Sequence, residues 1–117
     1  MSDRIIVYQK PTCSTCRELD KILRESGEEY DKINYYVEPI GKETLVRLLK
    51  KLNMKPQQLL RTKEAIYKEL ELSRSDRADD ELIDLMVKHP DLIQRPIVER
   101  GNRAVLARPA ETVREIL

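Results

Sequence analysis

One stretch, Ile5-Ile6-Val7-Tyr8-Gln9-Lys10-Pro11-Thr12-Cys13-Ser14-Thr15-Cys16-Arg17, constrains the chain most: an apolar run, a turn and a pair of cysteines follow one another within it. The β-prone residues Ile5 to Tyr8 have the pattern of a parallel strand covered on both faces, and Lys10-Pro11-Thr12 breaks it. Beyond the break, Cys16, Leu19, Ile22 and Leu23 recur at helical spacing, and Ser26-Gly27 supplies a C-terminal stop. Cys13 is therefore expected at or just before the first turn of a helix, at its exposed lip, with Cys16 half buried. The free N–H groups and positive dipole end of a helix favour thiolate over thiol, which can lower a cysteine below its free value of about 8.5.

A C-x-x-C near a β-α-β pattern reads as a redox motif. A structural zinc site needs about four ligands, whereas the chain offers two cysteines and the single distant His89, so no metal is expected. Two inert cysteines facing a core remain the plain alternative.

With 117 residues the chain fits one domain and can bury an ordinary core without disulfides. Charged residues make up 37% of it but balance to +1, so bulk charge selects neither a nucleic-acid surface nor an acidic tail. Phe and Trp are absent, leaving five tyrosines, and nucleic-acid recognition on aromatic platforms is not expected. The start, Met-Ser-Asp-Arg, has no secretory hydrophobic region. No apolar segment approaches the ~18 residues that span a bilayer. The expectation is a cytoplasmic protein without membrane contacts, in a compartment that keeps thiols reduced. No exposed apolar stripe demands a dimer, so a monomer is expected.

Residues 28–37, bounded by Gly27 and the Pro39–Gly41 break, predict a second strand with Ile33 and Tyr35 two apart. Leu45, Leu48, Leu49 and Leu52 predict an amphipathic helix closing near Asn53. A turn of helix at Pro56 to Leu60 follows, then a helix carrying Ala65, Ile66 and Leu70, and a polar loop from Ser73 to Ala78. A helix starting at Asp79 or Asp80 has Leu82, Ile83 and Met86 inward and His89 in its last turn. The period then changes: residues 96–100 and 103–107 predict a hairpin on Gly101-Asn102, and residues 110–117 a final helix with Val113, Ile116 and Leu117 inward.

The order is β-α-β, a helical block, then β-β-α. It predicts an α/β, thioredoxin-like fold: a four-stranded mixed sheet in a single domain over residues 1–117, with a helical insertion at about 54–90 between its halves. In that architecture a cis-proline commonly faces the cysteine, and Arg95-Pro96 is the candidate, since X–Pro bonds alone adopt the cis form cheaply.

Arg61, Arg95 and Arg108 each adjoin a bend. Ordinary surface charges can flank bends by chance. If the fold gathers all three around Cys13, however, their guanidiniums would hold a tetrahedral oxyanion by forked hydrogen bonds and stabilise the thiolate.

Four segments carry a family resemblance over nearly the whole length. Lys-Pro-Thr-Cys13-Ser-Thr-Cys-Arg17 resembles the Asn-Pro-x-Cys-x-x-x-Arg loop of glutaredoxin-linked arsenate reductases, the ArsC/Spx-like family, and Leu-Leu-Arg61 resembles their Leu-Leu-Arg element. The block from Ile83 through His89-Pro90 to Arg95-Pro96-Ile97 resembles their His-Pro and Arg-Pro-Ile segment, and Arg108-Pro109 their last arginine. The resemblance implies Cys13 as nucleophile and Arg61, Arg95 and Arg108 as oxyanion ligands. It implies a thiolate adduct of arsenate, no bound cofactor, and glutathione and glutaredoxin, or thioredoxin, as electron donor. Two departures stand out. Gln9 occupies the place of a common histidine, and Cys16 that of a common serine, which makes Cys16 a candidate resolving thiol. C-x-x-C here also resembles Spx, a redox-switch regulator that binds RNA polymerase. A thiol-disulfide oxidoreductase of other substrate is the third reading.

Overall fold

The computed structural model describes residues 4–10, 13–74 and 77–117. The expected Pro11-Thr12 turn and part of the loop before Asp79 lie outside them. The chain divides into two units, one made of the residues up to Glu38 together with Arg95–Leu117, the other of Pro39–Gln94.

The first unit holds β1 (Ile5–Gln9), α1 (Ser14–Ser26), β2 (Tyr30–Asn34), β3 (Ile97–Arg100) and β4 (Arg103–Leu106). The sheet order is β2-β1-β3-β4, with β1 parallel to β2 and antiparallel to β3, and β3 antiparallel to β4. The expected four-stranded mixed sheet is present. Central β1 is the apolar run, and Ile5 and Val7 on one face pack with Leu19, Ile22 and Leu23 of α1, Val98 of β3, and Val113 and Ile116 near the C-terminus. Fully burying side chains of this size contributes about 1.5–3 kcal/mol each, so the strand–helix pair that carries the cysteines is also the centre of the core. On the opposite face Tyr8 and Glu99 are buried, and the Tyr8 hydroxyl donates to Glu99 Oε1 at 3.1 Å.

Three local outcomes differ from the sequence reading. β2 ends at Asn34, whose Oδ1 accepts from Tyr36 N at 3.0 Å while its carbonyl accepts from Val37 and Glu38. This side-chain turn removes Tyr35 from the strand that its spacing from Ile33 predicts. Residues Ala110–Ile116 form a 3₁₀ helix, with Val113 and Ile116 inward as expected but Leu117 exposed. Arg100 Nη1 fastens that segment by donating to the Ile116 carbonyl at 3.0 Å. Arg95–Pro96 is cis as expected, and Arg108–Pro109 is cis as well. In the hairpin, Gly101 at φ 60° takes the first central position, where a II′ turn needs positive φ.

The second unit is helical: α2 (Lys42–Leu52), α3 (Pro56–Leu59), α4 (Ala65–Glu69) and α5 (Asp79–Lys88), with 3₁₀ turns at Leu72–Arg74 and Pro90–Leu92. α2 buries Leu45, Leu48 and Leu49 and ends at Asn53 in the left-handed region. α5 buries Leu82, Ile83 and Met86. Its cap is Ala78, with Asp79, Asp80 and Glu81 filling the first turn, and His89 caps its C-terminus instead of lying within the last turn. α4 buries none of its residues, so the Ala65-Ile66-Leu70 pattern marks a short surface helix. Leu59 to Arg61 run beside Leu92 to Gln94, with Arg61 N donating to the Leu92 carbonyl at 2.8 Å and Gln94 N to that of Leu59 at 2.9 Å. This pairing fixes the backbone at Arg61.

Candidate active site

Strand β1 delivers the chain to Lys10, whose carbonyl accepts from Cys13 N at 3.0 Å. Cys13, with φ −78° and ψ 125°, is then the N-cap of α1, and its Sγ accepts from Cys16 N at 3.4 Å. A sulfur occupies the place usually taken by a Ser, Thr or Asp oxygen. The first turn of α1 contains no acidic residue, so the positive end of the helix is left to the thiol.

The two sulfurs are driven in opposite directions. Burial works against ionising Cys13, but it is outweighed by hydrogen bonds from the Cys16 thiol and backbone N–H and by the positive charges of Arg95 and Arg108. The thiol is held below the ordinary cysteine value. Cys16 is 2% exposed, more buried than its pattern predicts. Burial first, and then its hydrogen bond to Cys13 and the charge on that sulfur, push it up to about 12. Of the two sulfurs Cys13 is the one whose ionisation is favoured, and Cys16 is the one held as a thiol.

Arg95 sits immediately before the cis-proline and is 6% exposed. Its Nη1 lies 3.5 Å from the Tyr35 hydroxyl. Burial disfavours its charge, yet Tyr35, Tyr36 and Cys13 hold its ionisation above the ordinary arginine range. Arg108 Nη1 donates to the Arg95 carbonyl at 3.0 Å, so one arginine braces the backbone of the other. Cys13, Cys16, Arg95 and Arg108 thus belong to a single electrostatic group within the first unit. Arg61 belongs to the second unit, where its Nε donates to Glu64 Oε1 at 3.0 Å.

Tyr35 is a residue that sequence reasoning missed. It is 1% exposed, stacks on Tyr36 with ring centroids 5.1 Å apart, and meets Arg95, while Lys10 Nζ lies 4.8 Å over the Tyr36 ring. The available signal was two adjacent tyrosines just after a strand in a chain with few aromatics. Gln9, the last residue of β1, is buried, and its carbonyl accepts from Tyr35 N at 3.4 Å. His89 caps α5 in the second unit. Among the described residues no cluster of three or more His, Cys, Asp or Glu could hold a metal, and no helix is long and apolar enough to cross a membrane.

A parallel β-α-β unit extended by an antiparallel hairpin, with cysteines at the first helix and a cis-proline entering the third strand, defines the thioredoxin-like α/β class. Residues 8–116 match the model of the ArsC family. The chain is 40% identical over 118 residues to the uncharacterized protein YfgD of Escherichia coli K12, covering 100% of this chain and 99% of that protein. It is 40% identical over 113 residues to the arsenate reductase of the same strain, covering 97% of this chain and 80% of that enzyme. The solved structure of an arsenate reductase from Vibrio cholerae superposes with a TM-score of 0.94 at 37% identity over the full length of both chains. The chain belongs to the ArsC family.

Proposed function

We propose that the protein is a thiol-dependent arsenate reductase in which Cys13 is the nucleophile. The observation that carries this is the coupling of a helix-capping Cys13 to Arg95 and Arg108: the same guanidiniums that favour the thiolate are suited to a tetrahedral dianion beside it. The similarity to named arsenate reductases supports the choice of oxyanion.

In this reading the Cys13 thiolate attacks arsenic and one oxygen leaves as water, giving an arsenic(V) thiolate adduct. Arg95 and Arg108 take up the charge that develops on the remaining oxygens, as fixed donors that need no reorganisation. Arg61 joins them as a third oxyanion ligand on the strength of the Leu-Leu-Arg motif alone. Glutathione with glutaredoxin is the source of the electrons that the reaction consumes, with thioredoxin as the other candidate donor. Such thiol chemistry fits the reducing cytoplasm.

The test follows NADPH consumption with glutathione, glutaredoxin and glutathione reductase supplied, with arsenate present and absent. Arsenate-dependent turnover that vanishes in Cys13→Ser is the expected result. Equal NADPH consumption with and without arsenate, with either donor system, contradicts the reading.

A further inference from the structure

We propose that Cys16 is the second nucleophile of this reaction: it attacks Cys13 Sγ in the arsenylated protein, so that arsenite leaves and a Cys13–Cys16 disulfide remains. The inference rests on the arsenate reading above and assigns its reducing step to the chain itself.

Geometry places the two sulfurs for it. Cys16 follows Cys13 by three residues, with Cys13 as the N-cap and Cys16 in the first turn of α1, so both thiols belong to the same helix end. Its backbone N–H already donates to Cys13 Sγ at 3.4 Å. At 2% exposure Cys16 is shielded from solvent while in contact with Cys13.

The environment also orders the two thiols in time. Burial, the hydrogen bond to Cys13 and the charge on Cys13 keep Cys16 protonated in the resting protein. Bonding Cys13 Sγ to arsenic replaces that anion and removes the last two of these causes. Burial remains, opposed by the Lys10 backbone and the Arg95 charge. Cys16 therefore gains nucleophilicity only once Cys13 has reacted.

The step balances. The Sγ–Sγ bond forms as the Cys13 Sγ–As bond breaks, and the electron pair of that bond stays on arsenic. Two thiols are oxidised to one disulfide while arsenic(V) becomes arsenic(III), and the Cys16 proton passes to an arsenite oxygen. An external thiol, glutathione with glutaredoxin or thioredoxin, then reduces the disulfide by exchange.

The test is a single turnover without any added thiol. Fully reduced protein, freed of reductant, is mixed with arsenate; arsenite is quantified and the intact mass measured after alkylation under denaturing conditions. The expected result is stoichiometric arsenite, loss of both alkylatable thiols and a mass lower by two hydrogens. Cys16→Ser and, as a second variant, Cys16→Ala should release no arsenite until glutathione is added. Wild-type protein that makes arsenite only when glutathione and glutaredoxin are present overturns this inference and leaves the arsenate reading standing. Protein that makes none under either condition overturns both.

Discussion

The N-termini of α1 and α5 solve the same electrostatic problem in opposite ways. Both helices bury an apolar stripe, and both expose free N–H groups at a positive dipole end. At α5 the chain supplies its own counter-charge, with Asp79, Asp80 and Glu81 in the first turn behind an Ala78 cap. At α1 it supplies no carboxylate and makes a cysteine the cap. A helix end that carries its own carboxylates contributes stability. One that leaves the position to a sulfur, with Arg95 and Arg108 adding positive charge, gives up part of that stability for a reactive anion.

The largest break in the comparison comes from removing the arginine charge. Arg95→Ala should lower arsenate turnover on the order of 100-fold, the scale seen when a donor to a developing oxyanion is lost, and should raise the pH midpoint of Cys13 alkylation. Arg108→Ala should do the same to a smaller degree, since Arg108 is exposed and the charge of Arg95 acts more strongly on Cys13. Steady-state kinetics and alkylation rates against pH check both.

A smaller change makes α1 resemble α5. Ser14 is the first residue of α1 and is exposed. Ser14→Glu should neutralise part of the dipole end and raise the Cys13 midpoint by a few tenths of a pH unit, from a dipole interaction of about 0.3–1 kcal/mol. The smallest effect is the reverse change at α5: Asp79→Asn should cost about 0.3–1 kcal/mol of stability in denaturant unfolding and leave Cys13 alkylation unaltered.

The sign of the pH effect on stability follows from the lowered Cys13 value. A thiolate favoured in the folded state contributes stability above the unfolded-state pKa of about 8.5, and the contribution is lost as pH falls through the folded-state value.

Local patterns made α1 and its cap legible in the sequence. Cys16, Leu19, Ile22 and Leu23 define one helix face, and Gly27 ends the helix in the left-handed region. The hairpin was legible for the same reason, with Gly101 at the one position that demands positive φ. What sequence reasoning missed depends on competition between local and tertiary terms. Asn34 overrides the two-residue period from Ile33 to Tyr35, because its side chain captures the Tyr36 N–H and turns the chain. Tyr35 thereby reaches Arg95, 60 residues away, a contact that no local pattern encodes. The C-terminal segment has a helical pattern but winds as 3₁₀, held by Arg100 from β3. Arg95 and Arg108 were legible as residues before prolines, whereas their hydrogen bond could come only from the fold.

The most direct test of the central claim is the pH dependence of Cys13 alkylation by iodoacetamide, followed residue by residue by mass spectrometry in wild type and Arg95→Ala, with and without arsenate. The account predicts a wild-type midpoint below the free-cysteine value of about 8.5, an upward shift in Arg95→Ala, and protection by arsenate in wild type. Cys16, pushed up to about 12, should stay largely unmodified across the range. A Cys13 midpoint at or above that of free cysteine, unmoved by Arg95→Ala and by arsenate, would contradict the claim that this helix end is built to hold a thiolate beside an oxyanion.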